Sequence, residues 1–286
     1  GFDLLELFAF VHPARFTVPT AYGLAATLGL AAPADGAAEA AFLQAAAAQL
    51  LGRLDVPDRG EPHGAYALAQ ALARHGWNWA PLILARLKPP PRPERSVFTK
   101  LDKWEETPPR PRPADVALSD GAVDATLDRL LGLGAERRDG QRDYARAAAF
   151  AFRPRTMANA PNVVLAEAGT GIGKTLGYLA PATLWAQAAQ GSVWLSTYTK
   201  ALQRQLDHET QRAYPDPVAK RDRVVVRKGR ENYLCLLNLE DAVQGGFTGR
   251  AAVFALLAAR WAEYSRDGDM VGGDLPGWLG PLFPRN

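Results

Sequence analysis

Apolar positions in the first 87 residues recur at helical spacing within an alanine-rich background. Residues 37–51 are the clearest case: a strong helix former with Phe42, Leu43, Leu50 and Leu51 available for packing. The pattern predicts a mainly helical region over residues 1–87. Residues 88–113 break it. Pro89, Pro90, Pro91 and Pro93, then Pro108, Pro109, Pro111 and Pro113, remove backbone donors and stiffen the chain. This stretch reads as a linker whose Val97, Phe98 and Trp104 can dock on a neighbouring surface. Ser119-Asp120 caps a helix that runs to Leu131, and residues 141–152 form another that ends near Pro154.

From Asn162 the period changes. Short apolar runs at 163–166, 192–196 and 223–227 read as strands. Between them, 175–190 (with Pro181 as a kink) and 200–212 read as helices. Strand–helix alternation predicts a parallel sheet covered by helices, hence an α/β fold for this half. Glu231 onward is mostly helical through Tyr264. Residues 267–286, rich in Gly and Pro, read as loop. There is no internal repeat and no heptad pattern.

The chemistry concentrates in residues 166–175, Ala-Glu-Ala-Gly-Thr-Gly-Ile-Gly-Lys-Thr. The run follows the first predicted strand and opens a helix, the context that makes a glycine pattern a phosphate-binding loop. Gly169, Gly171 and Gly173 let the backbone bend so that its N–H groups converge, and the following helix adds its positive end. Ala168, Gly169, Thr170, Gly171, Ile172 and Gly173 would cradle a nucleotide. Lys174 would reach the β- and γ-phosphates, and the Thr175 hydroxyl would hold a magnesium ion. A glycine-rich turn that binds nothing is the bland alternative.

Composition narrows the choice. The 286 residues suffice for one large domain or two smaller ones. No apolar run approaches a membrane span, and the start, Gly1-Phe2-Asp3, carries neither a basic head nor a methionine. The expectation is a cytoplasmic protein seen in part. One cysteine rules out an internal disulfide framework and fits a reducing compartment. Net charge is only +3, but residues 196–230 hold nine Lys or Arg against four Asp or Glu. Such a window could track a phosphate backbone, or be a solvated face. His12, His63, His75 and His208 show no metal-ligand spacing.

The flanks of the loop carry a family resemblance. Ala168 stands where the general phosphate-loop pattern has glycine, and many helicase motors write the loop this way. No Asn-Lys-x-Asp occurs, so the guanine reader of the GTPases is missing. Residues 193–206, Val-Trp-Leu-Ser-Thr-Tyr-Thr-Lys-Ala-Leu-Gln-Arg-Gln-Leu, resemble a superfamily-two helicase motif in which hydroxyls and a helix start contact a strand's phosphates. Arg138-x-x-Gln141 resembles the adenine-reading element of the same motors. Residues 228–235, Lys-Gly-Arg-Glu-Asn-Tyr-Leu-Cys, resemble the segment of DinG/XPD-like helicases that carries the first ligand of a [4Fe–4S] cluster, and residues 261–269 resemble a stretch of the cluster domain.

The resemblance implies a RecA-like P-loop motor over residues 114–286, with an iron–sulfur domain starting near residue 231. It implies ATP, Mg2+ and, in a longer protein, a [4Fe–4S] cluster as cofactors. It places Gln141 at adenine, Cys235 at iron, and Thr197, Thr199, Lys200, Gln203 and Arg204 at single-stranded or forked DNA, with unwinding in the 5′–3′ direction. No Asp-Glu-x-His box and no further cysteine occur in the chain. It is therefore expected to be the N-terminal part of such an enzyme, with little turnover of its own and with poor order after Cys235. Residues 2–7 and 19–30 resemble the tail of a DnaQ-like 3′–5′ exonuclease, but residues 33–39 lack the expected histidine. They read as a non-catalytic remnant or, equally, as a plain helical docking region. A nucleotide kinase and a non-catalytic nucleotide-binding module remain the alternatives to a helicase.

Overall fold

The computed structural model describes residues 1–56, 64–91, 112–157 and 159–282. Most of the proline-rich stretch, with Val97, Phe98 and Trp104, lies outside the described residues, as does His63.

The first helices begin where side chains can accept from free N–H groups. Asp3 caps α1 (Leu4–Val11), Thr20 caps α2 (Ala21–Leu28), and Asp35 caps α3 (Gly36–Gly52). Helices α4 (Ala65–Arg74) and α5 (Ala80–Leu84) follow. The next group is α6 (Asp120–Leu131), capped by Ser119, then α7 (Asp139–Ala149), α8 (Lys174–Ala189), α9 (Lys200–Ala213) and α10 (Pro217–Arg223). Last come α11 (Leu236–Asp241) and α12 (Gly249–Ala262).

These helices form two compact units, Gly1–Glu105 with Lys228–Asn286, and Glu106–Arg227. In the first, Phe8, Phe10, Leu50, Leu68, Leu72 and Ile83 close on the apolar side of α12, where Trp261 is fully buried. Buried indoles each find an acceptor: Trp77 donates to Glu6 Oε2 at 2.7 Å, Trp79 to the Asp3 carbonyl at 2.7 Å, and Trp278 to the Thr17 carbonyl at 2.8 Å. The segment after Cys235, expected to lack order, instead supplies α11 and α12. Its reason for folding is that apolar face, which α1 and α4 cover.

In the second unit, Val123, Leu127, Ala145, Leu176, Leu179 and Leu206 form a separate core among α6 to α9. Asp124 on α6 accepts from Arg146 on α7 at 3.1 and 2.5 Å, which holds its carboxyl below the usual carboxylate range.

The expected α/β fold with a RecA-like parallel sheet is not what the chain forms. No strand occurs among the described residues, and the one bridge there is the isolated antiparallel pair Tyr233 and Asp269. Residues 163–166, 192–196 and 224–227 are irregular, and Arg223 ends α10. Their apolar character signalled strands, yet a parallel strand needs neighbours on both edges and helices on both faces. Here Val163, Trp194 and Val225 are exposed, and Leu165 is 96% exposed.

His12 ends α1 with its ring against Phe8 and its Nε2 without a hydrogen-bond partner among the described residues. Burial, reinforced by Arg53 and Arg15, lowers its pKa from 6.5 to about 4. The folded state therefore holds the neutral ring, and the unfolded chain takes up the proton first. Stability should fall as pH drops from about 6.5 to about 4, by no more than about 3 kcal/mol, and level off below. Urea titrations at pH 7 and 4.5 read this loss, and His12→Leu should reduce it.

Candidate nucleotide and nucleic-acid site

The glycine run read as a phosphate loop lies between α7 and α8. Gly171 and Gly173 take φ of 81° and 84°, the left-handed region that a side chain resists. Gly169 does not, and a Cβ there would meet open space. The sequence reading that gave all three glycines the same conformational role thus holds for two of them. Helix α8 starts at Lys174 with no side-chain cap, so the N–H groups of its first turn remain available.

Residues upstream brace the loop. Arg138 Nη1 donates to the Gly171 carbonyl at 2.8 Å, and Gln141 Nε2 donates to the Gly173 carbonyl at 2.8 Å. Gln141 is only 3% exposed, and a side chain at residue 173 would collide with its amide. Arg138 and Gln141, thirty residues from the loop in sequence, are thus part of its wall. Glycine is required on α8 as well: a Cβ at Gly177 would stand 2.7 Å from the Tyr144 ring.

Lys174 Nζ donates to the carbonyls of Ala168 and Gly169, at 2.8 Å each. The ammonium is held over the loop by acceptors of its own backbone, bonds it can exchange for phosphate oxygens. Thr175 sits in the first turn of α8. Burial raises the Tyr178 phenol pKa, the nearby Thr175 hydroxyl opposes the rise, and Tyr144 adds to it. The open loop, the free helix start, one ammonium and one hydroxyl fit a magnesium nucleotide. Gly169 to Gly173 and the α8 N–H groups would hold its phosphates, and Thr175 its metal. A separate cleft of about 540 Å³ lies along the turn between α6 and α7, lined by Arg129, Leu133, Arg137 and Arg142 among others.

Helix α9 starts with Thr199 Oγ1 accepting from Leu202 N at 3.2 Å. Thr197 is half-buried, and Lys200 and Arg204 are exposed. Gln203 Nε2 donates to the Arg227 carbonyl at 3.0 Å, so its amide ties residue 227 to the helix.

Cys235 precedes α11 and is exposed. The two stretches likened separately to the iron–sulfur family meet here. Leu234 N donates to the Gly268 carbonyl at 2.9 Å, Met270 N to the Asn232 carbonyl at 2.8 Å, and Lys228 pairs with the Asp269 carboxylate. Sequence reading missed Asp269, because an ion pair across about forty residues leaves no local pattern. A [4Fe–4S] cluster takes four thiolates, and the sequence supplies one. No group of three metal-ligating side chains occurs among the described residues. The residues present do not make a cluster site by themselves. Among the described residues no helix is long and apolar enough to cross a membrane.

No protein-family profile matches the chain, and no solved structure matches it. Curated proteins do. It is 36% identical over 150 residues to the 3′–5′ exonuclease DinG of Bacillus subtilis, covering 50% of this chain and 15% of that protein. It is 38% identical over 118 residues to the ATP-dependent helicase DinG of Mycobacterium tuberculosis, covering 40% of this chain and 17% of that protein. It is 35% identical over 153 residues to the ATP-dependent DNA helicase YoaA of Escherichia coli, covering 53% of this chain and 22% of that protein. The aligned part of the chain thus spans less than a quarter of these relatives' length.

Proposed function

Over about half its residues the chain is related to DinG- and YoaA-type ATP-dependent helicases, and from that premise we propose that it is the ATP-binding portion of a DNA helicase. The observation that supports this reading is the bracing of Gly171 and Gly173 by Arg138 and Gln141, which ties the start of α7 to the glycine loop. Lys174 and Thr175 take the β/γ-phosphates and the metal, and Gln141 pairs with adenine while it buttresses the loop. Bound Mg-ATP supplies the γ-phosphoryl group. Lys174 neutralises charge as it spreads in the transition state, so the chain's contribution to catalysis is electrostatic. Thr197, Thr199, Lys200, Gln203 and Arg204 lie along a single-stranded or forked DNA substrate, unwound 5′–3′ in the cytoplasm. In the complete protein Cys235 is one of four thiolates on a [4Fe–4S] cluster. The apolar N-terminal helices act as a non-catalytic remnant or a docking region.

The test compares ATP with GTP. Wild type is expected to prefer ATP, and Gln141→Ala to lose about fivefold in ATP affinity and most of that preference, because a side-chain hydrogen bond contributes about 1 kcal/mol. Competition titrations against a fluorescent ATP analogue measure both. Equal affinity of the wild type for ATP and GTP would remove Gln141 as the adenine reader.

A further inference from the structure

Tyr198 is an aromatic ring that the site described above leaves unused. It is 99% exposed and makes no hydrogen bond or ring contact among the described residues. It stands between Thr197 and Thr199, directly before the α9 start. Lys200 and Arg204 follow, both exposed and in no ion pair among the described residues. The two carboxylates of α9 are already engaged: Glu209 with Arg212 at 2.7 Å, and Asp207 with Lys220 at 2.9 Å. The first turn of α9 is left with net positive charge, free N–H groups and one bare ring.

These features favour one kind of occupant. A protein surface covering Tyr198 would also desolvate two cations that have no ion-pair partner among the described residues. A nucleic-acid strand gives both what they lack: phosphates for the cations and a flat π-face for the phenol. In a duplex each base already stacks on its neighbours, so only an unpaired strand offers a free face. Trp194 is also exposed, but it belongs to the apolar run 193–195 with no cation in it, and it carries no such argument.

We propose that Tyr198 is a stacking platform for one base of a single-stranded nucleic acid whose phosphates run over the first turn of α9, against Lys200 and Arg204. This rests on the nucleic-acid reading above and adds a salt-insensitive component to it. The cations set the salt dependence, and the ring sets how much a base is worth. Every base has a π-face, so the contribution is tolerant of sequence.

The experiment measures anisotropy of labelled oligothymidylate, and of the same backbone carrying abasic sites, with the 286-residue chain. Tyr198→Ala is expected to weaken binding to oligothymidylate by about 5- to 150-fold, the range for loss of one base–aromatic stack. Tyr198→Phe should restore it to within a few-fold. The abasic strand should bind wild type and Tyr198→Ala alike, and the slope of log affinity against log salt should be the same for both proteins. Unchanged binding of oligothymidylate by Tyr198→Ala overturns the proposal, as does an equal loss on the abasic strand. Should wild type bind neither strand, or should Lys200→Ala with Arg204→Ala leave the salt slope unchanged, the nucleic-acid reading itself falls and Tyr198 with it.

Discussion

Lys174→Ala is expected to weaken Mg-ATP binding about 100-fold while leaving the fold in place. The ammonium sits 2.8 Å from the Ala168 and Gly169 carbonyls, poised over the mouth of the loop. On binding it trades those neutral acceptors for charged phosphate oxygens. A hydrogen bond to a charged group contributes about 1.5–3 kcal/mol, and two phosphates share this one cation. The fold should tolerate the change, because Lys174 is only half-buried and its partners are loop carbonyls that water can reach. Titration with a fluorescent ATP analogue reads the affinity, and thermal melting reads the fold. An affinity within threefold of wild type would show that phosphates bind elsewhere.

Arg260→Ala is expected to cost the first unit about 3–5 kcal/mol, the usual result of removing one partner from a buried charge pair. Arg260 is 1% exposed. Its Nε donates to the Phe10 carbonyl at 3.3 Å, and its guanidinium lies over the rings of Phe10 and Tyr264, at 5.3 and 4.8 Å. Glu263, equally buried, stands 4.0 Å away on the same helix turn. Truncation leaves that carboxylate desolvated and the Phe10 carbonyl short of a donor. Small domains have about 5–15 kcal/mol in total, so the variant should unfold at far lower urea than wild type, as read by indole fluorescence. Adding Glu263→Leu should recover part of the loss. A cost below about 1 kcal/mol would mean that Arg260 does not hold α12 to α1.

Local chemistry was legible and long-range pairing was not. The Ser119 cap, the helix that follows it and the loop-to-helix transition near Lys174 each depend on residues a few positions apart. Family resemblance singled out Arg138 and Gln141 as an adenine-reading element, but their hydrogen bonds to the loop carbonyls, across some thirty residues, leave no local pattern. The sheet was misread. Periodicity reports that Val163, Trp194 and Val225 are apolar, but it does not supply the neighbouring strands that would make them a sheet. The C-terminal tail was read as loop from its Gly and Pro content, yet Asp274 accepts from the Trp261 indole at 2.8 Å and from Ser265 Oγ at 2.7 Å. Composition gives no warning of such anchors, nor of the return of α12 to helices some two hundred residues earlier.

If the nucleotide loop and the strand-binding helix start serve one ATP-driven enzyme, the ATP hydrolysis rate of the complete protein should depend on single-stranded DNA. The strand is expected to raise hydrolysis severalfold, with Lys174→Ala abolishing the rise while sparing most DNA binding. Hydrolysis indifferent to DNA, or transfer of the γ-phosphoryl group to a small acceptor instead of water, would contradict that shared role.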